Sequence, residues 1–140
     1  MSAGEFFLDT NVIVYALHPK DSSKQKAAAR LLEKAHKGKG SISFQVVQEF
    51  VNLATRKFKP APPVSEVRQV VEDLLLPICR SNPSSAYYLD ALDTHRLTKL
   101  SWYDCLILQA AVDARCETLY SEDFQDGFHF RGVTIVNPFR

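Results

Sequence analysis

Hydrophobic residues recur along this chain in two patterns, short unbroken runs and longer stretches with a period near 3.6 residues. The short runs predict buried strands, and the periodic stretches predict helices with one apolar face. The predicted strands cover residues 5–8, 41–44, 76–79, 118–120 and 133–136. The predicted helices cover residues 12–17, 22–37, 45–57, 65–74, 82–97 and 102–115.

Turn and capping residues separate these segments. Asp21 and the two serines after it provide a cap for the second helix, and Gly38 and Gly40 end that helix. Strands that alternate with helices predict an α/β fold, in which a mostly parallel sheet is covered on both faces. Because no repeat or long linker divides the chain, we predict a single domain over residues 1–140.

Composition restricts the class of protein. Hydrophobic residues make up 46% and charged residues 24%, which is ordinary for a globular protein. The three cysteines, Cys79, Cys105 and Cys116, are odd in number and widely spaced, so they indicate neither a disulfide framework nor a zinc site. The sequence shows no signal-peptide pattern and no apolar run of membrane-spanning length. We therefore expect a cytoplasmic protein with no membrane partner.

Charge is distributed unevenly, although the net charge is only +1. Residues 1–59 contain 10 Lys or Arg and 5 Asp or Glu, whereas residues 60–140 contain 7 and 11. A basic half can attract a polyanion such as nucleic acid, but scattered lysines are more often a solvated surface.

The first predicted strand ends in the polar residues Asp9, Thr10 and Asn11, and apolar positions resume at Val12. A carboxylate is thus predicted where a buried strand ends and a helix begins. In open α/β sheets this edge is where ligands bind. Taken alone, Asp9 is explained more simply as the cap of the following helix.

Two further acids lie on helical faces that should point into the core. Glu49 shares a face with Val46 and Leu53, and Asp104 shares one with Ile107. A buried, unpaired carboxylate is costly, so such a group usually finds a partner or becomes neutral.

Each of these acids also has a purely structural explanation. Asp104 is the last residue of Ser101-Trp102-Tyr103-Asp104, which matches a capping box. Glu49 could pair with Arg56 or Lys57, or point into water. Asp123 follows the strand at 118–120 in a turn-rich segment, where acids are common.

The coincidence of the four acids favours a shared site. Asp9 and Asp123 follow predicted strands, while Glu49 and Asp104 lie early in helices that would start at the same sheet edge. Like charges placed together raise one another's pKa and need a cation. Oxygen ligands without a nearby His or Cys indicate Mg²⁺ or Mn²⁺.

The acids lie within several short motifs that follow one another along nearly the whole chain. These motifs are Leu8-Asp9-Thr10-Asn11, Gln48-Glu49-Phe50, Ser101-Trp102-Tyr103-Asp104-Cys105-Leu106-Ile107, Leu119-Tyr120-Ser121-Glu122-Asp123-Phe124 and the ending Val136-Asn137-Pro138-Phe139. In the order and spacing of these motifs, the sequence resembles PIN-domain ribonucleases, and among them the VapC-type toxins of bacterial toxin–antitoxin pairs.

This resemblance implies a three-layer α/β/α sandwich with a central, mostly parallel five-stranded sheet. It also implies metal-dependent hydrolysis of RNA, with a 5′-phosphate and a 3′-hydroxyl as products and no covalent enzyme intermediate. One or two Mg²⁺ or Mn²⁺ ions would be held by Asp9 and Asp104, with Glu49 and Asp123 bound directly or through water. Neutral residues beside them would orient the carboxylates or the phosphate. These are Thr10, Asn11 and Ser121.

The resemblance further implies an antitoxin protein as partner and a homodimer. Helices rich in Val, Leu and Phe can leave an apolar patch that a second copy would cover, and the candidate surfaces are the helices at 22–37 and 44–58.

Other functions remain open at this point. Within the same family, the chain could be an RNA-processing nuclease that is not a toxin, or an inactive PIN-like interaction module, although its four acids are intact. A phosphohydrolase of the haloacid dehalogenase type would use Asp9 as a nucleophile, but it normally needs a second Asp where this chain has Asn11.

Overall fold

The computed structural model describes residues 5–18, 22–81 and 83–140. In this part of the chain, five strands form one sheet: β1 (Phe6–Leu8), β2 (Gly40–Ser41), β3 (Thr118–Tyr120), β4 (His129–Phe130) and β5 (Val133–Val136). The same part contains six α-helices: α1 (Thr10–Leu17), α2 (Ser22–Lys34), α3 (Phe44–Arg56), α4 (Val64–Val70), α5 (Ser85–Thr98) and α6 (Trp102–Asp113).

The sheet has the order β2-β1-β3-β5-β4, and all its neighbouring strands are parallel except the antiparallel pair β4 and β5. The fold class predicted from the sequence, a three-layer α/β/α arrangement around a mostly parallel five-stranded sheet, is therefore confirmed. Strand residues such as Phe7, Leu8, Leu119 and Ile135 are fully buried, as expected where helices cover both faces of a parallel sheet.

One predicted strand is wrong. Residues Leu76–Ile78 form a short 3₁₀ turn, and only Cys79 pairs with the sheet region, through a single bridge to Ile42. Pro77 lies in this segment, and because proline has no N–H to donate it does not support a ladder.

The strand that brings the sheet to five is β4, which the sequence pattern did not reveal. It has two residues and is joined to β5 through Arg131 and Gly132, which both have positive φ angles of 46° and 86°. Positive φ at both central residues is the requirement of a tight two-residue hairpin. The run at 128–130 is too short to show the alternation by which strands are recognised.

Helix boundaries differ from the predictions by a few residues. Helix α2 ends at Lys34, and a wider helical turn at Ala35–Lys39 follows it, with Gly38 at a φ of 101°. Helix α5 begins after Ser84, whose hydroxyl accepts a hydrogen bond from the Tyr87 N–H at 3.2 Å. The predicted cap at Asp21 and the predicted helix start at residue 82 lie outside the described residues.

The three cysteines are free thiols. None of the helices in the described ranges combines the length and the apolar character that crossing a bilayer requires.

The chain reverses its direction of travel across the sheet at the boundary between β1 and β3. From β1 it proceeds to β2 on one side, and it later returns to β3 on the other side. Leu8 pairs with Tyr120, and the Asp9 N–H donates to the Tyr120 carbonyl at 3.0 Å. In open α/β sheets, the crevice at such a switch point is the usual place for ligands.

Close packing behind β2 makes Gly40 a sensitive position. A Cβ atom there would lie 2.5 Å from Phe6 Cε2 and 2.6 Å from Ala35 Cβ. We therefore expect Gly40→Ala to lower the free energy of unfolding by about 1–3 kcal/mol, the usual range for overpacking. Urea denaturation measures this change. Lys39→Ala, at the exposed neighbouring position, is the control and should change stability by less than about 0.5 kcal/mol. Equal effects of the two substitutions would contradict the packing argument.

Candidate active site

Asp9 is the centre of a polar cluster at the carboxyl ends of β1 and β3. Its carboxylate is buried, with only 6% of the residue exposed. Oδ1 accepts a hydrogen bond from the Thr10 N–H at 2.7 Å, and Oδ2 accepts one from the Ser121 hydroxyl at 2.7 Å. Asp9 therefore caps helix α1, as its simpler explanation predicted, and it also contacts the end of the neighbouring strand.

The environment of Asp9 raises its pKa from 3.8 to about 7. Burial is the largest cause, because it disfavours the charged form. Hydrogen bonds from Ser121 and Thr10 oppose the increase, and the charges of Asp123 and Glu49 add to it. Repulsion between the acids, the cause expected from the sequence, is thus the smaller contribution.

Asp123 is joined to Asp9 through two neutral side chains. The Asn11 amide Nδ2 donates to Asp123 Oδ2 at 3.0 Å and lies 3.5 Å from Asp9 Oδ2. Ser121 Oγ accepts from the Asp123 N–H at 3.1 Å while it donates to Asp9. The side-chain oxygen of Asn11, Oδ1, accepts a hydrogen bond from the Glu122 N–H at 3.2 Å, so Asn11 also holds the segment that follows β3.

Glu49 reaches the same cluster from helix α3. The Thr10 hydroxyl donates to Glu49 Oε1 at 2.7 Å, and Glu49 is half-buried. Among the described residues, neither Arg56 nor Lys57 forms an ion pair with it, so the pairing considered from the sequence is wrong. Thr10 is therefore the link between the start of α1 and the inner face of α3.

Asp104 lies at the first turn of α6. Its N–H donates to Ser101 Oγ at 3.2 Å, so the capping role of Ser101 is confirmed. Burial raises the pKa of Asp104, a hydrogen bond with the Ser101 side chain opposes this, and the charge of Asp123 contributes further to the increase. Asp104 thus lies within electrostatic range of Asp123, although no hydrogen bond joins it to the Asp9 cluster in the described part of the chain.

Hydrogen bonds join Asp9, Glu49 and Asp123 in one cluster, whereas, among the described residues, Asp104 is related to it only by the charge of Asp123. Within the described ranges, no three acidic, histidine or cysteine side chains are grouped closely enough to hold an ion. All four carboxylates nevertheless offer oxygen donors, and Asp123 is exposed while Glu49 and Asp104 are half-buried. A donor set made of carboxylate oxygens fits a hard divalent cation, for which oxygen ligands are preferred.

A second group beside the cluster was not found from the sequence. Lys24 Nζ pairs with Glu122 Oε2 at 2.6 Å, and the Tyr15 hydroxyl donates to Glu122 Oε1 at 2.8 Å. Lys24 also lies 4.8 Å from the Tyr15 ring centroid. These residues come from three separate segments, so neither periodicity nor spacing could bring them together. They fix Glu122 between the two site residues Ser121 and Asp123.

Comparison with known proteins adds one family match. A family model described as PIN domain matches residues 6–128. No curated protein matches the chain.

The raised pKa of Asp9 predicts how stability depends on pH in the absence of divalent ions. Some carboxyl groups have a higher pKa in the folded protein than in the unfolded chain. Such a group contributes most to stability at pH values below its pKa in the unfolded chain, and the contribution is lost as pH rises through its pKa in the folded protein. The relevant window runs from 3.8 to about 7. Since asparagine does not titrate, we expect the stability of Asp9→Asn relative to the parent to increase by roughly 2 kcal/mol between pH 5 and pH 8.

Denaturation of both proteins in EDTA at several pH values measures this difference. The changed hydrogen bond with Ser121 affects the variant equally at every pH, so the slope isolates the titration of Asp9. Asp93→Asn, at an exposed position on α5, is the control, and its difference in stability from the parent should not change with pH. If the difference for Asp9→Asn does not change with pH either, the pKa of the Asp9 carboxyl is not raised.

Proposed function

Because the chain belongs to the PIN domain family, whose members are typically nucleases, we propose that it is a Mg²⁺- or Mn²⁺-dependent endoribonuclease. One observation carries this proposal. A buried carboxylate, Asp9, lies at the switch point of the sheet and is linked through Ser121 and Asn11 to Asp123 and through Thr10 to Glu49. An inactive interaction module would have no need to retain a buried acid with a raised pKa.

PIN domains generally use divalent ions, and here the ligands would be Asp9, Glu49, Asp104 and Asp123. A bound ion would supply positive charge that lowers the pKa of an attacking water and offsets the charge developing on the phosphate. Because the pKa of Asp9 is about 7, an ion and a proton compete for this carboxylate near neutral pH.

The remaining residues of the cluster act by orientation. Ser121 and the Thr10 N–H each hold one oxygen of Asp9, so its carboxylate has a fixed plane. Asn11 holds Asp123, and Thr10 holds Glu49. In the hydrolysis, water adds to phosphorus and the bond to the 3′ oxygen breaks, so the products carry a 5′-phosphate and a 3′-hydroxyl.

Within the family we propose a toxin that is neutralised by an antitoxin, on the basis of the motifs that resemble VapC-type toxins. Induced expression of the parent should arrest growth, and co-expression of a small protein encoded beside it should relieve the arrest. Growth arrest by the Asp9→Asn variant would contradict this role, because the arrest would then not depend on cleavage. An RNA-processing nuclease would cleave RNA without such arrest.

Any homodimer is expected to use α5 rather than the helices at 22–37 and 44–58. In the described residues, α2 has no exposed large hydrophobic side chain, and α3 has only Phe44. Helix α5 instead exposes Leu89, Leu92 and Leu97, each at least half exposed. An apolar face of this kind is the surface that a second copy would cover.

The first test of the proposal is cleavage itself. We expect purified protein to cut RNA with Mg²⁺ or Mn²⁺ and to lose this activity in EDTA. Sequencing of the new RNA 5′ ends gives the cleavage sites. Asp9→Asn and Asp104→Asn should each lower the rate by about 100-fold or more, and Ser121→Ala by about 10-fold, since it only orients a ligand.

Asp93→Asn again serves as the matched control and should cut at the parent rate. Undiminished cleavage in excess chelator would contradict the metal requirement. A rate within a few-fold of the parent for Asp104→Asn would remove Asp104 from the proposed ligands and leave it as a helix-capping residue.

The second test concerns assembly. We expect the parent to sediment as a dimer at micromolar concentration and Leu92→Glu to sediment as a monomer, because a charge would be placed in the covered apolar face. Lys26→Glu, at an exposed position on α2, is the control and should remain dimeric. A monomeric parent would exclude the homodimer, and a monomeric Lys26→Glu would point back to α2.

A further inference from the structure

A cleft of about 410 Å³ lies between the start of α3, the start of α5 and one side of α6. We call it the α3–α6 cleft. Its walls include Gln45 and Gln48 on one side and Tyr88, Trp102 and Tyr103 on the other. Gln45 lies four residues before Glu49 and so shares a helical face with it, and Tyr103 directly precedes Asp104. Two residues of the cleft are thus close in sequence to proposed metal ligands, one helical turn from Glu49 and directly before Asp104.

Ser43 is a buried polar residue in this cleft that lacks a partner. It is 3% exposed, it lies at the cap position of α3, and its hydroxyl makes no hydrogen bond to any described residue. A serine at this position ordinarily accepts a bond from one of the first N–H groups of its helix. The side-chain oxygen of Gln45, Oε1, is likewise buried without a hydrogen-bond partner among the described residues. Since buried polar groups are rarely left unsatisfied, these atoms indicate that the cleft receives a polar ligand.

The opposite wall is aromatic. The rings of Tyr88 and Trp102 are nearly parallel, with centroids 6.5 Å apart and an interplanar angle of 27°. Tyr88 is 45% exposed and Tyr103 66% exposed, which is unusual for such large side chains. Exposed aromatic faces of this kind stack on unpaired bases.

The charges of the cleft favour an anion at the start of α3. The N-terminus of a 13-residue helix carries partial positive charge. Arg80 lines the same cleft. Its backbone N–H donates to the backbone carbonyl of Ile42, the residue before Ser43. No carboxylate among the described residues pairs with the Arg80 side chain. Asp113 also lines the cleft, but it is the last residue of α6, about 16 Å along that helix from Trp102.

We propose that the α3–α6 cleft binds one unpaired nucleotide of the RNA. The base stacks on Tyr88 and Trp102, and its phosphate accepts hydrogen bonds from the Ser43 hydroxyl and the first N–H groups of α3. This inference rests on the proposed nuclease function and adds to it a subsite for one base and its phosphate, which a base that has left its stack can enter.

The test uses the intrinsic fluorescence of Trp102, which is the only tryptophan of the chain. We expect 5′-AMP, added to the full-length protein in EDTA, to change this fluorescence in a saturable way. Adenosine should bind more weakly than 5′-AMP, and inorganic phosphate should compete with 5′-AMP. N-acetyltryptophanamide in the same solutions corrects for absorption by the nucleotide. Because 5′-AMP contains no bond for an endonuclease to cut, the readout does not depend on activity.

Two variants separate the base from the phosphate. Tyr88→Ala should weaken 5′-AMP binding by about 10-fold or more, as expected for the loss of one stacking partner. Leu76→Ala, at a position of similar exposure (47%) outside the cleft, is its control and should bind normally. Ser43→Ala should weaken the binding of 5′-AMP by about 10-fold and leave the binding of adenosine unchanged, since it removes a hydrogen-bond donor to a charged phosphate oxygen. Its stability should not fall, because the hydroxyl has no partner to lose.

The outcomes distinguish this inference from the nuclease proposal. If RNA is cleaved but 5′-AMP leaves Trp102 unchanged, the nucleotide site is wrong and the cleft is left for a protein partner. If 5′-AMP binds with the expected pattern but RNA is not cleaved, the site stands and the nuclease proposal fails. The inference would also be overturned if Tyr88→Ala and Leu76→Ala lost equal affinity for 5′-AMP. The same holds if Ser43→Ala lost equal affinity for 5′-AMP and for adenosine.

Discussion

The burial of the Asp9 carboxylate is the constraint on which the other features of the site depend. Burying a charge is costly unless hydrogen bonds compensate for it. Here the compensation comes from the Thr10 N–H, at the start of α1, and from the Ser121 hydroxyl, at the end of β3. The Thr10 N–H is in place because Thr10 directly follows Asp9, and the Ser121 hydroxyl is in place because Leu8 is paired with Tyr120, which sets Asp9 and Ser121 side by side. The register of two short strands thus determines the chemistry of the sheet edge.

Neutral side chains, rather than cations, connect the acids. Thr10, Asn11 and Ser121 satisfy single carboxylate oxygens and leave the negative charge of the group uncompensated. The lysine described beside the cluster, Lys24, is engaged by Glu122. An arrangement of this kind keeps the acids in position without neutralising them, which suits the divalent ion proposed above better than an arginine or lysine at the same place would.

The sequence was sufficient for those features that depend on neighbouring residues. Apolar runs located β1, β3 and β5, and the Ser101 cap followed from a four-residue pattern. Hydrogen bonds and clefts formed between particular side chains of distant segments could not be predicted. The bond between Thr10 and Glu49 spans 39 positions, and the α3–α6 cleft is assembled from four separate segments. The erroneous strand at 76–79 arose because an apolar run was given more weight than Pro77.

The two outermost strands of the sheet, β2 and β4, have two residues each. A short edge offers few free backbone donors and acceptors, so it is a poor template for pairing with a strand of another molecule. The protein is thereby protected from aggregation by edge-to-edge addition, although a mostly parallel sheet folds slowly and exposes its edges while it does so. Any specific association with another chain consequently has to be made by side chains on the helices, where single substitutions can alter it without disturbing the sheet.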